Sequence, residues 1–159
     1  MIQDTTRANS RALPAIFWAG LTCGVLDISA AFITWAIRGV KPFRILQAIA
    51  SGLLGPKSFD GGWSTAVLGA ACHFFIAYSA ATVFYVVSRK LAFMTQRAIL
   101  SGVLYGIAVY AVMYWIVKPL SLVAPRPFSL TENVVAIITH IVCVGLPISL
   151  IVRRFSRIT

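Results

Sequence analysis

Four apolar runs, each about as long as a bilayer core is thick, constrain this chain more than any other feature. They cover residues 15–37, 62–88, 97–118 and 130–152, and inside them stand only two acidic residues, Asp27 and Glu132. At ~1.5 Å of rise per residue, about 20 residues cross a ~30 Å hydrocarbon core. Lipid offers the backbone no hydrogen-bond partners, so a spanning segment must satisfy its own amides, and helices do this within one segment. The expected fold class is therefore all-α: a polytopic transmembrane four-helix bundle, with one membrane domain over 14–152, a cytoplasmic N-terminal tail over 1–13 and a basic C-terminal tail over 153–159.

Composition agrees with a bilayer as the solvent. The 159 residues are 59% hydrophobic and 11% charged, with a mean hydropathy of +0.87, whereas soluble domains are about a quarter charged. The net charge is +10, but its carriers fall in short loops and tails beside apolar runs. That placement suits snorkelling and anionic headgroups. No soluble basic face exists to bind nucleic acid. Cys23, Cys72 and Cys143 fall mid-span without a CxxC pattern and read as small packing residues. The first apolar run is too long for a cleaved leader and lacks a small-residue cleavage site after it.

The connections are legible too. Pro14 suits the first turn of the first span. Residues 41–55 are opened by Lys41 and Pro42 and stopped by Gly55-Pro56; they are too short to span and read as an interfacial or re-entrant helix. Asp60 is an expected N-cap for the second span. The short link 89–96 makes spans two and three expected antiparallel neighbours. Lys118-Pro119 ends span three, Pro125-Arg-Pro127 prevents a wholly helical loop, and Ser129-Leu-Thr-Glu132 matches a capping box. Pro147 frees the Cys143 carbonyl and is expected to kink span four. Trp35, Trp63 and Trp115 mark one interface and Trp18 the other. Four spans put both termini on one side, with eight basic residues there against six opposite. The positive-inside rule then favours cytoplasmic termini in a plasma membrane by a small margin, leaving dual insertion open.

Small residues recur at helical spacing: Gly20 and Gly24 in the first span, Gly69 in the second, Gly102 and Gly106 in the third. Such rows let helix backbones approach closely. Counting by fours from Gly69 reaches His73, Ala77 and Ala81, so the imidazole shares the packing face. The strong ionisable groups deep within the spans are Asp27, His73 and His140. They fall roughly 12, 15 and 15 Å below the same interface, and an inward-facing Asp27–His73–His140 cluster is expected.

Four readings of that cluster stand side by side. A hydrogen-bond clamp between helices, helped by Tyr105, Thr139 or Ser79, would be structural only. One carboxylate and two imidazoles can also relay protons or couple an ion, in which case four spans would be completed by a homodimer. Two histidines and a carboxylate can hold a divalent ion, although no HxH or HxxxH spacing supports a metal. A single haem could take His73 and His140 as axial ligands, although both come from spans running the same way. No acyl-transfer, phosphoryl-transfer or nucleotide motif is present, Gly55-Pro-Lys-Ser58 lacking the phosphate-loop context. The expected protein is non-enzymatic and without cofactor: an accessory or scaffolding subunit in a larger membrane complex or a stress-related protein, alternatively a small proton- or ion-coupled transporter.

Gly20-Leu-x-x-Gly24-Val, a Gly62–Arg89 span containing a histidine, Gly102 followed by Pro119-Leu, and His140 followed by Arg153-Arg154 together resemble small bacterial inner-membrane proteins of the YagU-like type. The likeness covers most of the chain as an order of features. It implies a plasma-membrane protein with a role in stress tolerance, and no substrate.

Overall fold

The computed structural model describes residues 2–124 and 127–157, with side chains from Arg11 onward except Arg157. Pro125 and Arg126 of the proline-rich loop lie outside the described residues. The elements are α1 (Ile2–Ala36), α2 (Pro42–Leu54), α3 (Gly62–Lys90), α4 (Phe93–Gln96), α5 (Ala98–Leu120) and α6 (Leu130–Ser156). Among the described residues four helices are long and apolar enough to cross a membrane: the Arg11–Ala36 part of α1, then α3, α5 and α6. The protein is an all-α, four-helix multi-pass membrane bundle.

Two expectations at helix starts need correction. The backbone is helical from Ile2, so Pro14 lies within α1 rather than at its first turn. Adding turns to an existing helix is far less costly than nucleating one, and the apolar span supplies the nucleus. Asp60 does not cap α3; Gly61 holds the N-cap position without a side-chain cap. The capping box of α6 is half formed. Ser129 Oγ accepts the Glu132 N–H at 3.4 Å, and the Glu132 carboxylate pairs with Arg38 just past the end of α1.

The glycine rows decide which helices touch. α5 lies on α6 at backbone distance. A Cβ on Gly106 would stand 2.6 Å from Ile141 Cα and 2.7 Å from the His140 carbonyl, and one on Gly102 would stand 3.0 Å from the Gly145 carbonyl. Gly145 answers from α6, where a Cβ would overlap the Gly102 carbonyl. Gly20 and Gly24 work differently, receiving the rings of Tyr78 and Phe74 from α3. α1 also packs on α6. α3 and α5, expected to be antiparallel neighbours because their link is short, touch without close backbone packing: Tyr105 Oη donates to the Ala80 carbonyl at 2.7 Å, and its ring stands edge-on to Phe84 at 4.9 Å. The small residues of α3 face α1 and, at Gly69, α2, and those of α5 face α6, so no close-packing face remains for this pair.

Each of the last two spans carries a π-helical stretch, Met113–Val117 in α5 and His140–Gly145 in α6. Each stretch lies directly upstream of a proline. A proline has no N–H and its ring crowds the carbonyl four residues earlier. Those carbonyls belong to Trp115 and Cys143, both inside the widened stretches. Thus Pro119 does not end its span, which stays helical to Leu120. Pro147 is absorbed by local widening of the helix.

α2 is held on α3 by a polar clamp. Gln47 is fully buried, and its Nε2 lies within 3.3–3.4 Å of the Phe59 and Gly62 carbonyls and Thr65 Oγ1. Arg44 donates to Gln47 Oε1 and to the Phe59 carbonyl. Gly69 makes the contact possible, since a Cβ there would overlap the Leu46 carbonyl of α2. Gly55, with φ of 62°, ends the helix in a conformation that a side chain would strain.

Candidate functional site

The interior is divided in two along the bundle axis. Towards the termini it is solid. Ala19 and Cys23 of α1, Ala77, Ala81 and Phe84 of α3, and Val144, Ile148 and Val152 of α6 form one buried cluster. Towards α2 it opens into a cavity of about 650 Å³. Ile45, Ala48 and Ile49 of α2 line the cavity from above, and Cys23, Ala77 and Val144 belong both to its lining and to the packed cluster, which makes them its floor.

Asp27, His73 and His140 all line this cavity. Each stands four residues from a floor residue on its own helix: Asp27 from Cys23, His73 from Ala77, His140 from Val144. Because α1 runs opposite to α3 and α6, these three steps all point towards α2. The helices therefore place one carboxylate and two imidazoles about one turn, ~5.4 Å, above the same floor.

The three do not clamp one another. His73 Nε2 lies 2.8 Å from the Gly24 carbonyl across the α1–α3 contact, and His140 Nδ1 lies 2.8 Å from the Ala136 carbonyl one turn earlier in α6. A carbonyl only accepts, so each of these nitrogens carries a hydrogen. The other nitrogen of each ring, Nδ1 of His73 and Nε2 of His140, has no hydrogen-bond partner among the described residues. Asp27 has no hydrogen-bond or ion-pair partner among the described residues. All three side chains are half-buried rather than enclosed. The expected helpers are committed elsewhere: Tyr105 to Ala80, and Ser79 to the Phe75 carbonyl of its own helix. Among the described residues no three His, Cys, Asp or Glu side chains converge as a metal site.

Other lining residues were not anticipated. Trp35 and Phe59 form aromatic wall, and one face of each is covered by a guanidinium, Arg38 at 4.9 Å and Arg44 at 5.5 Å. Arg44 itself lines the cavity near α2. A basic residue in an amphipathic helix reads from sequence as a headgroup contact. Only the fold of α2 back over the bundle puts the exposed Arg44 among the lining residues.

Among the described residues, then, the site offers one carboxylate without a partner, two imidazoles each with one nitrogen unbonded, one hydrogen-bonded guanidinium and a largely apolar wall. Such a site can bind and release protons or a cation. Comparisons with family models, with curated proteins and with solved structures find nothing that matches this chain.

Proposed function

We propose that this multi-pass protein is a small proton- or ion-coupled transporter, non-enzymatic, whose exchange site is Asp27 with His73 and His140. One observation carries the reading: Asp27 lies in a membrane-embedded cavity without a polar partner. Polar groups facing lipid or an apolar membrane cavity are costly, and an intramembrane carboxylate that is retained without a structural partner points to an occupant. A proton or a cation bound in competition at Asp27 supplies it. The packed floor and the open region beneath α2 also give the bundle one closed and one accessible half, as alternating exposure of a central site requires. The proposed location is the bacterial inner membrane with both termini cytoplasmic, in line with the YagU-like resemblance and the charge bias, and a homodimer is the proposed working unit.

The test is proton movement in proteoliposomes that contain a pH-sensitive dye and are driven by a potassium diffusion potential. Proton entry above that of protein-free vesicles is expected, abolished by Asp27→Asn and reduced by His73→Ala and His140→Ala. If the three variants lower only the thermal stability, the polar groups are interhelical glue and a scaffolding role replaces this one.

A further inference from the structure

We infer that the occupant exchanged at Asp27 is a lipophilic organic cation: a single positive charge on a drug-sized apolar body. The inference rests on the proposed exchange site and names the class of its cargo.

Size is the first ground. The cavity holds about 650 Å³, within the roughly 300–1,000 Å³ of small-molecule pockets and far beyond what a bare inorganic ion fills. A hard cation would also need a shell of about six oxygen ligands, and Asp27 is the one carboxylate in the lining.

Charge is the second. The titratable and charged groups facing the cavity are Asp27 and the Cys23 thiol from α1, Arg44 from α2, His73 from α3 and His140 from α6. Arg44 is exposed, and its Nη1 hydrogen-bonds Gln47 Oε1 and the Phe59 carbonyl while the Phe59 ring lies against the guanidinium. Each imidazole spends one N–H on a backbone carbonyl. Arg44 is bonded, though to neutral groups, whereas Asp27 is the charged lining residue with no hydrogen-bond, ion-pair or ring partner among the described residues, so the unmet demand just above the floor is for one positive charge.

Wall chemistry is the third. Above that level the space is bounded by Ile28, Ala31 and Met113 together with the Trp35 and Phe59 rings. Since Arg38 and Arg44 already cover a face of those rings, the aromatics serve as apolar wall, and the cation belongs at Asp27. A ligand charged at one end and greasy over the rest fits this division. An anionic amphiphile would have to leave Asp27 unpaired and compete for a guanidinium already bonded.

Binding of tetraphenylphosphonium and of tetraphenylborate, ions of matched shape and opposite charge, to the full chain in detergent tests this by equilibrium dialysis. The phosphonium is expected to bind saturably and release protons. Its affinity should fall at least ~10-fold in Asp27→Asn, about 1.4 kcal/mol, and comparably in Ala48→Phe, which fills the cavity from α2 and leaves Asp27 intact. The borate is expected not to saturate. Equal or tighter borate binding overturns the inference, as does phosphonium binding unchanged in both variants. Proton entry that depends on Asp27 in a protein that does not bind the phosphonium rejects the organic-cation class and leaves the proton-exchange reading standing. Loss of both rejects both.

Discussion

A glycine's consequences depend on what faces it. At Gly106 the facing atoms are Ile141 Cα and the His140 carbonyl, which are backbone and cannot turn aside. At Gly20 they are atoms of the Tyr78 ring, which can rotate. Gly106→Ala is therefore expected to cost about 1–3 kcal/mol through overpacking and Gly20→Ala distinctly less. Unfolding titrations in mixed micelles would rank the pair, and equal losses would contradict the contrast. Gln47 poses the opposite problem, a buried polar group with several partners. Gln47→Leu leaves Arg44 and Thr65 without it and is expected to destabilise by about 1–3 kcal/mol, with loosening confined to α2 and readable as faster hydrogen exchange over 42–54. Sequence marks Gly106 as a packing residue by its spacing. It does not mark Gln47, because a lone glutamine in a short amphipathic helix looks like a solvated one.

At the scale of the element, the two π-helical stretches follow from a conflict between proline and a helix that must continue. Breaking off inside a bilayer would leave several amides without partners, so the chain widens by a residue upstream of Pro119 and Pro147 instead. Pro147→Ala restores an N–H that can bond the Cys143 carbonyl. The stretch His140–Gly145 is then expected to regain α-helical bonding, seen as slower amide exchange at the turn containing Cys143 and Pro147. Unchanged exchange would mean that the Gly102–Gly145 contact, and not the proline, holds the widening. Since His140 opens this stretch, the same variant is expected to shift any Asp27-dependent proton flux. The α3–α5 seam is joined by a single hydroxyl. Tyr105→Phe removes that bond and keeps the ring against Phe84, for an expected loss of about 0.5–1.5 kcal/mol in the same unfolding assay.

For the molecule as a whole, the division into a solid half and a hollow half governs what a perturbation reaches. Phe84→Ala in the solid half empties a fully buried position and is expected to cost about 3–5 kcal/mol, lowering the thermal midpoint without altering cavity chemistry if the fold survives. Ala31→Leu in the hollow half adds volume to open space and is expected to leave the midpoint nearly unchanged while hindering ligand entry. The Arg38–Glu132 pair ties α1 to α6 beyond the hollow end. Being exposed, it is worth at most about 1 kcal/mol.

The sequence by itself determined the number of spans, their all-helical character and the rows of small residues, because all of these follow from helical rise and from the cost of placing polar groups in lipid. Periodicity names a face without naming the surface it meets. Tertiary structure therefore decided that Gly102 and Gly106 lie against Gly145 and Ile141, that α3 and α5 share little more than a tyrosine, and that α2 folds back to roof a cavity. It also decided that His73 bonds the Gly24 carbonyl and leaves Asp27 without a partner. Hydrogen bonds are settled over about 3 Å between segments dozens of residues apart, a distance fixed only when every helix has found its place.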